Sequence, residues 1–436
     1  MKPYSIAVAA AAFATLPAAA AVDLQQLERS AGDVSPKVLA WRRDFHQHPE
    51  LSNREFRTAG KVAAHLESLG MEVTTGIAHT GVVGVLRGGR AGPVIALRAD
   101  MDALPVTEQS ELPFKSTATA EYRGEKVGVM HACGHDGHVA ILMGVAEALA
   151  GMKEDLPGTV LFVFQPAEEG APDGESGGAS LMLEEGIFER VRPEAVFGLH
   201  LWAQLNTGQV GYRSGPMMAA SDRYRILVKG RQTHGSRPWG GVDPIVTASQ
   251  IVLGMQTIVS RQLDITRYPA VLSVGAIKGG IRNNIIPDEV EMIGTFRTYT
   301  PEARQMIIDS IGRTARDIAS AAGATAEVEI ATDGNPVVVN DERLTGRMVP
   351  VLKSVLGDAE VVSIPYVTGA EDFAYYAQRV PGFFFFVGVT PQGQDPVTAP
   401  SNHSPLFFID EQSLDVGVRS LLAVALDYLN GGGGLR

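Results

Sequence analysis

Short apolar runs, each ending abruptly in polar or charged residues, alternate along much of this chain with stretches of helical periodicity. Residues 94–97, 160–164 and 195–199 are such runs, and their unbroken apolar character predicts strands buried on both faces of a sheet. From residue 22 to about 213, helices and Gly or Pro punctuation between these runs predict βαβ units around a mostly parallel sheet. Ligands of open α/β sheets gather outside the carboxyl ends of the strands. Asp100, Asp102, Glu168, Glu169 and His200 stand just past the runs and are expected to converge there.

The texture changes over residues 216–331. Strand-like 223–228, a helical stretch 246–261, strands 271–277 and 289–296, a helix 302–322 and a strand 327–330 follow one another. That β-α-β-β-α-β order predicts a ferredoxin-like domain inserted into the larger one. Residues 22–215 and 332–436 are then the two parts of an α/β catalytic domain, the second with a strand at 383–387 and a last helix at 411–429. The FFFF run at 383–386 reads as buried strand rather than as an aromatic ligand box. No repeat of fixed period is evident.

The start of the chain carries an address. Lys2, an apolar stretch 6–16 and Ala19-Ala20-Ala21 predict a cleavable signal peptide over residues 1–21, hence export to the periplasm or the exterior. Pro17 and the alanine-rich composition make the stretch a poor membrane span, and no membrane contact is expected after cleavage. With 436 residues, 45% hydrophobic and 20% charged, the chain is long enough for two or three globular domains. Its 37 Lys and Arg against 49 Asp and Glu give a net charge of −12, with no basic block to neutralise phosphates, so nucleic acid is not an expected partner. Cys133 is the single cysteine and cannot form an intrachain disulfide. In an exported protein it is either a core residue or a metal-bound thiolate, and its neighbours favour the metal.

Those neighbours belong to six stretches: RADMDALP (98–105), HACGHDGH (131–138), FQPAEEG (164–170), GLHLW (198–202), THGSRP (233–238) and SNHSP (401–405). Carboxylates, imidazoles and one thiol on an α/β scaffold are what a dinuclear divalent-metal hydrolase needs. Cys133 and His135, two apart in a Gly-containing turn, can point to one side. Glu168 and Glu169, leaving a strand side by side, project differently. One can ligate metal, Glu169, while the other, Glu168, acts as general base on water acidified by the metals.

Other readings are weaker. His46, His48, His131 and His138 are read as hydrogen-bonded structural histidines. A helical site from His131, His135 and His138 needs a helix across Cys133-Gly134, which the glycine disfavours. GESGG (174–178) has the spelling of a serine-hydrolase elbow, yet Pro172 and polar residues separate it from the preceding strand, leaving Ser176 in a loop. Thr368 through Glu371 resembles a capping box for a helix reaching Tyr376, a structural task for Glu371 that leaves Asp372 open.

RRDFHQHPELSNRE, RADMDALP, HACGHDGH, FQPAEEG, HGSRP, NNIIPD and NHSP, in this order, resemble the metal-dependent amidohydrolases and peptidases. That group includes hippurate hydrolase, N-acyl-amino-acid amidohydrolases, aminoacylase-type carboxypeptidases and plant auxin-conjugate hydrolases. The resemblance covers essentially the whole chain after the leader. It implies five metal ligands, Cys133, His135, Glu169, His200 and His403, around two divalent ions (Zn, Mn, Co or Ni), with Glu168 as catalytic base. It implies that Asp102 orients a metal-ligating side chain; peptidase relatives begin that motif with His where this chain has Asp100, whose task stays open. The inserted domain is implied to be a lid and dimerisation module. Its His234 and Asn284 would contact the substrate's carbonyl or carboxylate, His234 being able to reach across to a partner subunit. The expectation is an exported amidohydrolase, a homodimer or higher homo-oligomer, cleaving N-acyl amino acids or small peptides. The alternative is a metal-containing binding protein for the same molecules, which would have no need of Glu168.

Overall fold

A computed structural model describes residues 23–331, 333–431 and 433. The expected leader, 1–21, lies outside the described residues, as does part of the glycine-rich tail. Among the described residues no helix is long and apolar enough to cross a membrane.

The larger unit is built on one eight-stranded sheet. Its strands are β1 (Glu72–Ile77), β2 (Gly81–Arg87), β3 (Arg90–Asp100), β4 (Pro157–Gln165), β5 (Ala195–Asn206), β6 (Val210–Tyr212), β7 (Val361–Ser363) and β8 (Gly382–Thr390). They lie in the order β1-β2-β4-β3-β5-β8-β6-β7. The central four, β4, β3, β5 and β8, run parallel, while β2 joins β4 and β6 joins β8 antiparallel. The three apolar runs thus form the middle of the sheet, where both faces are covered.

The four consecutive phenylalanines explain the two cores. All are 0% exposed. Successive strand side chains point to opposite faces, so Phe383 and Phe385 join the core under helices Leu24–Gln47, His135–Gly151 and Gln412–Asn430. Phe384 and Phe386 join the core under helices Gly178–Glu184 and Phe373–Ala377. Each buried ring contributes roughly 1.5–3 kcal/mol of transfer free energy to its core.

The smaller unit is a four-stranded antiparallel sheet in the order Val271–Lys278, Glu289–Thr298, Ala220–Lys229, Thr325–Ile330. Helices Pro244–Thr257 and Pro301–Ala321 pack on it through Ile251, Met255, Ile307 and Ile311, against Ile226, Val228 and Phe296. Chain order and sheet order together make this the ferredoxin-like arrangement. The first helix is shorter than the expected 246–261: it ends at Thr257, and Ile258–Gln262 form a wider helical turn. Near the C-terminal part, the expected capping box is absent. The helix starts at Phe373 with Asp372 at its N-cap, and Glu371 instead accepts the Phe373 N–H at 2.9 Å while pairing with Arg98.

Candidate metal centre

Every anticipated donor of the larger unit arrives at the carboxyl edge of the parallel strands. Asp100 ends β3 and Asp102 follows it; β4 ends at Gln165, and the next turn carries Glu168 and Glu169. His200 sits in β5, and His403 on the loop after β8 at φ 72. Cys133 and His135 flank Gly134, whose φ of 99 turns the chain into the helix beginning at His135. A Cβ at Gly134 would also meet the Leu201 Cβ at 3.3 Å, so glycine is required there twice over.

The side chains close into one cluster. Cys133 Sγ lies 3.4 Å from His200 Nε2 and 3.2 Å from His403 Nε2. Glu169 Oε1 is 3.0 Å from His403 Nε2 and 4.0 Å from His135 Nε2, and Glu168 Oε2 is also 4.0 Å from His135 Nε2. Two triads share Cys133: one with His135 and His200, the other with Glu169 and His403. The thiol is therefore common to both donor groups.

Neighbouring groups aim these donors. His135 Nδ1 donates to the Asp102 backbone carbonyl at 2.8 Å and His200 Nδ1 to the Leu201 carbonyl at 2.8 Å, which leaves both Nε2 lone pairs facing the cluster. The Asp102 carboxylate accepts the backbone N–H of Glu168 at 3.1 Å and of Glu169 at 3.0 Å, besides the Ser52 hydroxyl at 2.8 Å. Asp102 is thus a positioning group for the Glu168–Glu169 turn as much as for His135. Asn402 ties the His403 loop down by donating to the Cys133 and Leu201 carbonyls, each at 3.0 Å.

Asp100 sits beside this cluster, its Oδ1 3.8 Å from His135 Nδ1. It binds His138 Nδ1 at 2.5 Å and Arg98 at 2.6 Å, and His138 Nε2 accepts the Leu201 N–H at 2.8 Å. Arg98 also pairs with Glu371 at 2.9 Å and Asp372 at 2.8 Å, and donates to Gln165 at 2.8 Å. His138 is therefore a structural histidine, and the open roles of Asp100 and Asp372 are those of partners to one buried cation. His46 likewise bridges Asp136 and Glu108, and exposed His48 bonds the Asp44 carbonyl. His131 departs from expectation: it is buried, and neither ring nitrogen has a hydrogen-bond partner among the described residues. Ser176 lies in a loop, its carbonyl bound by Asn53 and His79.

The electrostatics call for cations. Burial and the Glu169 carboxylate push the Cys133 thiol well up. Burial, Glu371 and Glu169 push the Glu168 carboxyl well above the carboxylate range. Burial opposes charge on His135, yet Asp100, Asp102 and Glu169 lift it to about 10. A divalent ion inverts each tendency, since it deprotonates a coordinating thiol and favours neutral imidazole. His135 Nε2, buried and facing the cluster, lacks a hydrogen-bond partner among the described residues, while Glu169 Oε1 lies 3.0 Å from His403 Nε2. An imidazole nitrogen aimed at a thiol and carboxylates fits a metal.

His234 and Asn284 lie apart. They share a small lid hairpin in which Thr233–His234 pairs with Ile285–Ile286 and Gly235 N–H donates to the Asn284 carbonyl. His234 is exposed and its Nδ1 accepts from Ser236; Asn284 Oδ1 is buried without a hydrogen-bond partner among the described residues. Among the described residues, no hydrogen bond or ion pair joins either side chain to the cluster. A cleft of about 1530 Å³ runs from Glu168 and Glu169 to the lid sheet, where Arg223, Arg225 and Arg297 line it. Arg98 escaped the sequence reading, which gives Glu371 a helix cap in place of its guanidinium partner. The available signal was a charged residue in the middle of an apolar parallel strand, two before an aspartate and so on the same face, which requires a buried partner.

An α/β body with a thiol, imidazoles and carboxylates collected at its strand ends, under a ferredoxin-like lid, defines a hydrolase of the metallopeptidase class. The model of peptidase family M20/M25/M40 matches residues 96–427. The chain is similar to thermostable carboxypeptidase 2 of Saccharolobus solfataricus, 38% identical over 408 residues, 93% of this chain and 99% of that protein. It is similar to N-acetylcysteine deacetylase of Bacillus subtilis, 38% identical over 394 residues, 90% and 97% of the two chains. Among solved structures, the Bacillus subtilis YXEP protein, a dinuclear metal binding peptidase, superposes with a TM-score of 0.75 at 35% identity, over 91% of this chain and 99% of that one. The chain belongs to peptidase family M20/M25/M40 and is a hydrolase.

Proposed function

We propose that this protein hydrolyses the amide bond of N-acyl amino acids or small peptides with two divalent ions held by Cys133, His135, Glu169, His200 and His403. The observation that carries this reading is the convergence of five donor groups on one cluster in which the buried His135 Nε2 has no hydrogen-bond partner among the described residues. The ions supply Lewis acidity, polarising the scissile carbonyl and acidifying water. Glu168 takes the proton of the attacking water and passes it to the leaving nitrogen, while Asp102 keeps Glu168 and Glu169 aimed through their backbone amides. His234 and Asn284 bind the substrate's carbonyl or carboxylate. Their distance from the chain's own cluster supports a homodimer in which His234 serves the partner's site. The apolar start of the sequence supports export. A deacetylase and a carboxypeptidase among the relatives support acylated amino acids and peptides as substrates.

The test couples metal analysis to a panel of N-acetyl and N-benzoyl amino acids and dipeptides, with freed amine as the readout. Two divalent ions per chain, inactivation by chelator and recovery on adding metal are expected. A metal-free active enzyme, or turnover resistant to chelator and lost in Ser176→Ala, would overturn the reading.

A further inference from the structure

Beneath the Glu168–Glu169 turn lies a carboxylate to which nothing above gives a task. Glu55 is 0% exposed. Its Oε1 accepts the Ala167 N–H at 3.0 Å and its Oε2 the Thr80 hydroxyl. Asp102 takes the next two amides, those of Glu168 and Glu169. Three successive N–H groups of one turn therefore end on two buried carboxylates. Ala167 has φ 53, a left-handed conformation that an alanine avoids unless its surroundings impose it.

A helix-capping task does not account for Glu55. It precedes the helix Phe56–Ser68, but its side chain makes no cap bond, and Glu50 accepts the N–H groups of Arg57 and Thr58. Keeping a carboxyl there is costly: burial and the nearby Asp102 push it up to about 8. We propose that Glu55 is a positioning residue, holding Ala167 in its left-handed bend so that the next two side chains, Glu168 and Glu169, face the cluster. This rests on the base and ligand roles proposed above.

Glu55→Asp keeps the carboxyl group but withdraws it by one methylene. Its kcat should fall about 10- to 30-fold with KM within about 2-fold, the size expected for an outer-shell partner. Glu55→Gln can still accept from Ala167 and donate to Thr80, and should keep kcat within about 3-fold of wild type. Adding Ala167→Gly to Glu55→Asp should restore most of the loss, because glycine adopts positive φ without an anchor. A merely structural Glu55 predicts a lower melting temperature with kcat unmoved, and no rescue by glycine.

An independent reading comes from amide exchange on metal-free protein. The segment 165–170 should exchange about 10-fold faster in Glu55→Asp, as expected for one lost amide partner. Unchanged kcat and unchanged exchange in Glu55→Asp overturn the proposal, as does rescue failing in the double variant. Should Glu55→Asp not fold, Thr80→Val takes its place, with a loss of about 3-fold in kcat expected and no loss contradicting the proposal. Wild-type inactivity across the substrate panel would sink the proposed reaction instead, and the exchange comparison would still judge Glu55.

Discussion

The two units of the molecule handle charge in opposite ways. In the α/β body, Arg98, Asp100 and Glu371 are each 1% exposed or less, Asp372 is 4% exposed, and one guanidinium serves three carboxylates. In the lid, Arg225 pairs with Glu291 and Glu329, and Lys229 with Glu327, all on the exposed side of the sheet. In the body, Asp102 and backbone carbonyls aim the cluster's donors; the lid, apart from the Asp222–Arg304 pair, has solvated pairs and a histidine whose side chain is held, among the described residues, by Ser236 alone. The difference teaches where precision is needed. On the proposed assignment, chemistry resides where removing one partner strands another in low dielectric, and substrate contact where charges stay solvated and a change carries no such penalty.

The largest effect should come from the base. Glu168→Gln is expected to retain two metal ions by elemental analysis and to lower kcat by roughly 10²- to 10⁴-fold, the usual worth of a positioned general base. Substantial turnover in a metal-replete variant would move the chemistry away from the body. Next comes the shared cation. Arg98→Met leaves three buried carboxylates without their partner and should cost about 3–5 kcal/mol in denaturant unfolding, well beyond any lid ion pair. A loss no larger than that of a surface arginine would erase the contrast between the units.

The lid's proposed contribution is smaller. His234→Ala removes one substrate contact and is expected to lower kcat/KM by about 10- to 100-fold, with melting temperature and metal content unmoved. Mixing it with Glu168→Gln sharpens the point: if His234 serves the partner's site, mixed dimers regain activity that neither homodimer has. No regain on mixing would confine both residues to one subunit.

A pH experiment follows. Burial, opposed by Arg98, leaves Glu371 at about 8 and Asp372 at about 6. Their folded values lie above the unfolded ones near 4, so between those limits the native state holds more protons than the unfolded chain and stability falls as pH rises. In metal-free protein the two groups together should contribute a slope of up to about 2.7 kcal/mol per pH unit between about pH 4 and 6 and up to about 1.4 above it, and Glu371→Gln should flatten the part above pH 6. A stability curve rising from pH 5 to 8 in the wild type would contradict the assignment.

These contrasts were unevenly legible. The apolar runs announced β3, β4 and β5 because a strand covered on both faces leaves no room for alternation, and the donors just past them were visible for the same reason. The ferredoxin-like lid was legible because its apolar and polar stretches change period in a fixed order. Asp100 was not, because its task depends on His138 and on an Arg98 that it shares with the distant Glu371 and Asp372, and pairing between segments leaves no periodic trace. Glu371 was misread as a capping residue: the local Thr-x-x-Glu spelling is weaker than a buried guanidinium 2.9 Å away. Glu55 was invisible because its task depends on the φ of Ala167, which no alanine advertises.

The smallest expected effect belongs to Arg225. Its Nε lies 2.6 Å from Glu291 Oε1 and its Nη1 3.4 Å from Glu329 Oε2, with 38% of the side chain exposed. Water and salt already screen such a pair, and ordering three long side chains offsets most of the attraction. Arg225→Ala should shift the melting temperature by about 1 °C or less, and 1 M NaCl should shrink even that difference. Arg98→Met, measured beside it, should show no such salt dependence, because ions do not reach a site 1% exposed. If both variants responded alike to salt, the buried network would be solvated in practice, and its claim to fix the catalytic edge would fall with it.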